Sequence, residues 1–489
     1  MKILCLTLGL VTLAFCLGCG SGNNSGGTPG PFSDSSLLGQ YVYQLTGTDL
    51  INGVPFREEG VFIADGAGHI TGGEDDFVKG AGGPVLTAVT GSYAISGDGT
   101  ANATLNFSDG NAITLGMTVV STSKVYFIEA DTFATGAGVA EKQNTGALAA
   151  APSGTFAFRM HTTDGAPGSA GSTASVGVFT VAGGVVTSGS EDVSDGGVAS
   201  SRTITSGLFN APDATGRGTG SLTDSSPVTT SFVYYVVDSS NIRFLSSDLG
   251  ILGLGRAEKQ AAGPFDATSL SGNYAFGGNG DTALNVGGLR AVGQVMADGG
   301  GHIPSGAVDA AKDGSTVSDV TVTGGYAVNG VTGRVGVNLS GGVITNEVLY
   351  LVSSSRAFFL ITDPGIVADG TVDLQSSNSF TKASINGTFG FLMDGFNSSF
   401  FIDRVATLKW DGAGKLTLNE LVNASGNVNN PKPPLTGTYM VSNNGRTAGT
   451  INSLSNNMVF YLVSGSKAYI LQNDAATEID GITEVQVAP

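Results

Sequence analysis

One phrase occurs four times in this chain, and its repetition limits the fold more than any single residue does. A glycine followed by two aromatics at alternate positions opens each copy: Gly39-Gln40-Tyr41-Val42-Tyr43, Gly154-Thr155-Phe156-Ala157-Phe158, Gly272-Asn273-Tyr274-Ala275-Phe276 and Gly387-Thr388-Phe389-Gly390-Phe391. The opening glycines lie 115, 118 and 115 residues apart. A glutamine closes each copy at Gln143, Gln260, Gln375 and Gln486, twice within Ala-Glu-Lys-Gln. Repetition at this period makes the repeat the architectural unit. The division it predicts is residues 37–143, 153–260, 268–375 and 383–489.

Within residues 37–143 the chain reads as a meander. Short runs of alternating apolar and polar residues, such as Gln40–Thr46 and Thr100–Phe107, are separated by Asp65-Gly66-Ala67-Gly68 and Ser96-Gly97-Asp98-Gly99. Alternation with period two marks half-buried strands, and Asp-Gly pairs supply the positive φ of tight hairpins. About eight strands per copy follow, and neighbours joined by such turns pair antiparallel. A mid-unit glycine recurs at Gly91, Gly207, Gly324 and Gly437. Successive intervals in the combined glycine series are 52, 63, 53, 65, 52, 63 and 50. Equal four-stranded blades would not need that alternation. The expected fold is therefore all-β, four tandem antiparallel units set in a row, each an up-and-down barrel of about eight strands. An eight-bladed β-propeller is the alternative.

Composition agrees. The chain has 489 residues with 76 Gly, 41% hydrophobic and only 13% charged residues. With 40 acidic against 22 basic side chains, its net charge of −18 disfavours nucleic acid and anionic lipid headgroups.

The N-terminus sets an expected compartment. Lys2 precedes an apolar run from Ile3 to Leu17, shorter than the roughly 20 residues a spanning helix needs. The pattern is that of a signal peptide over residues 1–18. Its end, Cys16-Leu17-Gly18-Cys19, resembles the lipobox of bacterial lipoproteins, with Cys16 standing where that family usually has leucine. The resemblance implies lipidation of Cys19, a membrane anchor and, with Gly20 rather than Asp after the cysteine, the outer membrane of the cell envelope. All three cysteines lie at or before residue 19, so the mature domains rely on core burial without disulfides. Residues 19–36 read as a flexible Gly/Ser/Asn/Pro tether.

The strand rhythm also resembles the avidin and calycin-like barrels. Leu38-Gly39-Gln40-Tyr41, the Asp65–Gly68 turn and Thr90-Gly91-Ser92-Tyr93 occupy the corresponding places. Biotin binding does not carry over, because that site uses several tryptophans and this chain has only Trp410. A lipobox followed by such repeats also resembles bacterial repeat lipoproteins.

Candidate chemistry is sparse. His69 and His302 each follow an Asp-Gly-x-Gly turn, but Lys415 and Val185 hold that place in the other copies, which favours a surface role over a metal or acid–base site. Glu74-Asp75-Asp76 and Glu191-Asp192 with Asp195 are the densest acidic groups. They match no calcium-loop spacing and read as solvated strand edges. The aromatic pairs fill a narrow barrel or line a ligand cavity. No nucleophile elbow, phosphate loop or redox cysteine pair is present in a supporting context. No catalytic, cofactor-binding or metal-ligating residue is assigned. The expected function is a lipid-anchored structural, adhesive or ligand-binding array with an envelope protein or glycan partner. The alternative is a carrier of small apolar or glycan ligands inside the barrels, and a hydrolase ranks behind both.

Overall fold

The computed structural model describes residues 31–165, 171–282, 287–397, 400–452 and 456–489. The signal peptide, Cys19 and most of the tether lie outside them. Barrel 1 runs through eight strands: Leu38–Asp49, Val54–Asp65, His69–Lys79, Val85–Ile95, Thr100–Phe107, Ala112–Ser121, Lys124–Glu129 and Ala134–Lys142. Each pairs antiparallel with the next, and the eighth closes on the first, Tyr43 opposite Ala140. Barrels 2 and 3 repeat the plan, starting at Gly154–Asp164 and Ser271–Thr282. Barrel 4 starts at Asn386–Asn397 and closes through Phe401–Asp411 against Lys415–Ala424, which also carries a short extra strand, Asn427–Asn429. The all-β barrel reading therefore holds. Closure of eight strands within each unit excludes the propeller, whose blades are open four-stranded sheets. The first two strands of barrel 1, at 12 residues each, are longer than their alternation suggests.

Local chemistry explains the repeated phrase. The opening glycines have φ of +106°, +111°, +120° and +112°, a region that an L side chain rarely enters. The aromatics that follow point inward: Tyr41 and Tyr43, Phe156 and Phe158, Tyr274 and Phe276, and Phe389 and Phe391 are all core residues of their own barrels. At Gly91, Gly207, Gly324 and Gly437 a Cβ would strike the carbonyl of the facing strand, so bare backbone is required. The acid after each apolar late strand is also structural. Asp131, Asp248 and Asp363 accept the backbone N–H of Thr114, Ser231 and Thr345 at 2.7, 3.0 and 2.7 Å.

A three-residue 3-10 turn precedes the first strand of every barrel, and the segments around these turns plug the barrel floors with Phe32, Leu148, Phe265 and Phe380. The cavities in barrels 1 and 3 are about 10 and 30 Å3, room for a water or two.

The barrels do not stand in a row. Each packs on the next through an apolar cluster, and the fourth packs back on the first. Val42, Val61, Val233 and Tyr235 join barrels 1 and 2; Val176, Val178, Tyr350 and Phe358 join 2 and 3; Val292, Ala307, Tyr461 and Leu471 join 3 and 4. Val120, Tyr126 and Ile128 of barrel 1 meet Leu392 and Val405 of barrel 4. The expectation of a linear array is corrected to a closed ring. Strand faces that alternation marks as solvent-facing are in part apolar because they face another barrel.

Candidate functional site

Four devices hold the ring, and two of them rest on residues that the repeat pattern already singles out. The closing glutamine crosses to the next barrel. Gln143 Nε2 donates to the carbonyls of Thr215 and Val236 at 2.8 and 2.7 Å, and Gln260 to those of Thr332 and Leu351 at 3.0 and 2.7 Å. Gln375 reaches Asn444 and Leu462 at 3.0 and 2.6 Å, and Gln486 reaches Asp98 and Val119 at 3.3 and 2.8 Å. The backbone N–H of the following residue adds a bond to the same neighbour: Asn144 to Val237, Ala261 to Val352, Ser376 to Val463 and Val487 to Val120, at 2.7–2.8 Å.

The acid two residues before each glutamine makes an ion pair with that neighbour. Arg243 Nε bonds Glu141 at 2.9 Å, Arg356 Nε bonds Glu258 at 2.6 Å, Lys467 bonds Asp373 at 2.5 Å and Lys124 bonds Glu484 at 2.8 Å. Burial opposes ionisation of Glu141 and Asp373, but the neighbouring cations prevail and hold both near 2.

The third device occurs at three interfaces. Arg217 of barrel 2 grips Asp76 of barrel 1 with two bonds of 2.6 and 2.8 Å, and Tyr235 donates to the same carboxylate at 2.7 Å. Arg334 and Tyr350 hold Asp192 at 2.6, 2.8 and 2.9 Å. Arg446 and Tyr461 hold Asp309 at 2.7, 2.6 and 2.8 Å. In each case the arginine and tyrosine are directly opposed on neighbouring strands. These aspartates are buried, so a bidentate guanidinium with a phenol hydroxyl satisfies them where water cannot. Between barrels 4 and 1 the corresponding places hold Leu421, Thr100 and Thr118, with Thr100 opposite Thr118 and Leu421 opposite Val405.

The fourth device lies where the barrels converge. His161 and Arg159 of barrel 2 bond Asp369 of barrel 3 at 2.9 and 2.6 Å, and His161 Nε2 lies 3.5 Å from Asp281. Arg290 of barrel 3 sits 2.9 Å from Asp480 of barrel 4. Arg57 of barrel 1 lies within electrostatic reach of Asp281 and Asp394. Burial alone would depress His161, yet its bonds to Asp281 and Asp369 lift it to about 9. Burial raises Asp480 to about 7 and lowers Arg57 to about 10. Asp281 keeps a 40% exposed side chain and His161 a 23% exposed one, so water reaches this charged centre.

The acidic groups of the sequence are split by strand alternation. Asp76 and Glu74 face barrel 2, whereas Asp75 turns inward and accepts from Tyr43 at 2.7 Å. Asp192 faces barrel 3. The solvated-edge reading is thus corrected for Asp75, Asp76 and Asp192, all buried. Inside barrel 1, Glu58, Asp75 and Glu129 share the core; burial first and neighbouring acids second raise all three, Asp75 and Glu129 to about 8. No group of three or more His, Cys, Asp or Glu side chains among the described residues is arranged so that it could hold a metal ion. His69 and His302 are exposed and bond Asp65 and Asp298 of their own turns at 2.9 and 3.0 Å. The closing Gln and its preceding acid are visible in the sequence as repeats. The Arg–Tyr pairs are not, because they depend on cross-strand register.

Fold and geometry together define a class: four up-and-down antiparallel barrels closed into a ring by recurrent inter-barrel contacts. No family model matches the chain, and no curated protein matches it. Among solved structures, a mutant of the vaccine antigen transferrin binding protein B from Haemophilus parasuis Hp5 covers 74% of this chain and 82% of its own, at 9% identity and a TM-score of 0.19. Intact Ap-TbpB, with its N and C lobes, covers 74% and 84% at 8% identity and a TM-score of 0.19. At that TM-score the likeness carries no argument.

Proposed function

We propose that the protein is a lipid-anchored component of the bacterial cell envelope, a rigid ring that presents surfaces to an envelope protein or glycan partner and performs no catalysis. The observation that carries this reading is the separation of its two ends. The chain enters at the end that holds the glutamine contacts: Phe32 donates its N–H to Gly97 at 3.1 Å, beside the Asp98 carbonyl that receives Gln486. A lipid on Cys19 would therefore tether that end. The opposite end carries the loops with exposed Ile51, Phe133, Leu249 and Phe400. Filled barrels favour display over transport. The acids of the ring centre are paired with Arg57, Arg159, His161 and Arg290 rather than left to act on a substrate.

The test is metabolic labelling with palmitate, with and without globomycin, followed by membrane fractionation. Cys19→Ser is expected to lose the label and move the protein to the soluble fraction. Retention of both label and membrane association would overturn the anchor.

A further inference from the structure

On the reading of the ring as a display surface, we propose that the loops above the junction of barrels 4 and 1, at the end away from the tether, dock a basic polypeptide segment with aromatic or aliphatic side chains. Ile51, Phe133, Phe400 and Phe401 stand there 72%, 61%, 52% and 42% exposed. At about 200 Å2 per ring, the three phenylalanines alone leave about 300 Å2 in water, the size of the largest apolar patch on a typical monomer and often a functional one.

Hydrogen bonds join these loops into one surface. Leu50 donates its N–H to the Phe133 carbonyl at 2.8 Å, and Ser425 and Phe401 exchange two bonds of 3.0 Å. Gly426 of barrel 4 backs onto barrel 1 so closely that a Cβ would stand 2.5 Å from the Thr132 carbonyl and 3.1 Å from Leu50. Asn423 fixes both sides. Its Nδ2 donates to the carbonyls of Glu129, Asp131 and Ala134 at 2.8, 3.2 and 2.9 Å, and its Oδ1 accepts from the Gly426 N–H at 2.8 Å. A surface held in this way loses little conformational freedom on binding.

The fold itself has no use for the Phe133 ring. Two residues after Asp248, Asp363 and Asp474 stand Gly250, Gly365 and Ala476, at φ of +79°, +77° and +62°. Two residues after Asp131 the chain instead carries Phe133, outside the core and in water.

Charge selects the occupant. Lys79, at this end of barrel 1, is paired with Asp49. The carboxylates of Asp109, Asp131 and Asp474 bond only amides and backbone N–H groups among the described residues. A second copy of the chain would bring acids against these acids, and anionic lipid headgroups would be repelled. Lysine or arginine beside apolar side chains complements both features of the patch.

The experiment selects dodecapeptides from a random phage-displayed library on the full mature chain and titrates the recovered peptides by calorimetry. They are expected to combine Phe, Trp or Leu with Lys or Arg and to weaken as salt is raised. Phe133→Ser and Phe401→Ser should each weaken them at least tenfold, as loss of an aromatic anchor does. Leu249→Ser, at an exposed leucine on the same end of barrel 2, should leave the affinity unchanged. Circular dichroism establishes that each variant is folded, and Phe133→Ser alone suffices for the test. A library that yields no binder, peptides without basic residues, or a loss in Leu249→Ser equal to that in Phe133→Ser would each overturn the site. Displacement of the peptide by maltotriose, or a dimer in sedimentation that Phe133→Ser abolishes, would give the patch to a glycan or to a second copy and overturn it as well. Binding is read on the purified chain without membrane, so failure of the Cys19 anchor leaves this result untouched, and failure here leaves the anchor standing.

Discussion

The three interfaces between consecutive barrels and the one that closes the ring use the same glutamine, the same following N–H and the same acid–base pair, but they differ in the buried clasp. Barrels 1–2, 2–3 and 3–4 each set an arginine and a tyrosine on one aspartate. At the closing interface all three positions change together, to Thr100, Thr118 and Leu421. The joint change has a physical reason. An aspartate without its arginine, or an arginine without its aspartate, would be a desolvated charge with no partner, so partial loss is worse than complete loss. The closing interface adds bonds from Asn423, whose Nδ2 donates to the carbonyls of Glu129 and Ala134 at 2.8 and 2.9 Å, where Ser194 at the same register of barrel 2 donates a single bond to Ile366 at 2.7 Å.

The largest effect should come from breaking that rule deliberately. Asp309→Ala removes the carboxylate that satisfies both Arg446 and Tyr461, leaves Arg446 only Ser318 at 2.8 Å and Asp319 at 3.7 Å, and should cost about 3 kcal/mol. Leu421→Ala, at the same place in the closing interface, removes only partly buried apolar surface and should cost about 2 kcal/mol or less. Urea midpoints at constant m-value measure both. Equal losses would mean that the clasp is ornamental.

pH should separate the two kinds of interface next. Burial raises Asp75, Glu129 and Asp403 to about 8; Glu129 and Asp403 stand beside the closing interface, and Asp75 lies in the core of barrel 1. Their unfolded values are about 4, so between pH 4 and 8 the native state holds more protons than the unfolded chain, and stability falls as pH rises. Glu141 and Asp373, held near 2, act oppositely: their contribution is present above about 4 and is lost as pH falls through 2. His161, lifted to about 9, contributes fully below about 6.5 and loses its contribution as pH rises through 9. The melting temperature is therefore expected to peak near pH 5 and to fall continuously from there to pH 8. Glu129→Gln should flatten that decline and leave pH 5 unchanged. A curve still rising from pH 5 to 8 would contradict the assignment.

Gln486→Ala removes the bonds to the carbonyls of Asp98 and Val119, of which the second is buried, and should cost about 1–2 kcal/mol. Gln143→Ala should cost a similar amount, but its interface remains tethered by the chain, whereas barrels 4 and 1 have no such linker. Small-angle scattering should show expansion for Gln486→Ala and none for Gln143→Ala.

How much of this was legible in the sequence follows from the range of each interaction. Strand periodicity, turn chemistry and the opening glycines are local, so the barrels could be read directly, and the aromatics of each phrase fell where a barrel core needs them. The ring could not. Asp76 and Asp75 look alike in sequence, yet pleat alternation sends one to Arg217 and the other to Tyr43. Arg217 and Asp76 are 141 residues apart, and nothing local to either announces the other. The unused signal lay in the repeats themselves. Gln143, Gln260, Gln375 and Gln486 persist through heavy drift although no strand or turn requires a glutamine there. A polar side chain retained without a local role needs a distant partner.

The smallest expected effect is also the sharpest test of equivalence. If the interfaces are built on one plan, Thr100→Arg, Thr118→Tyr and Leu421→Asp together should restore the clasp between barrels 4 and 1. Leu421→Asp alone buries a carboxylate without a cation and should destabilise; Thr100→Arg alone places a guanidinium beside an apolar leucine. Combined, the costs offset one another, and the triple variant should lie within about 1 kcal/mol of the parent. Its interaction energy, obtained from the single, double and triple variants, should be clearly favourable. An additive series would mean that the backbone at this junction has moved away from the clasp geometry. The absence of the clasp would then be a consequence of the junction's shape rather than of three side chains.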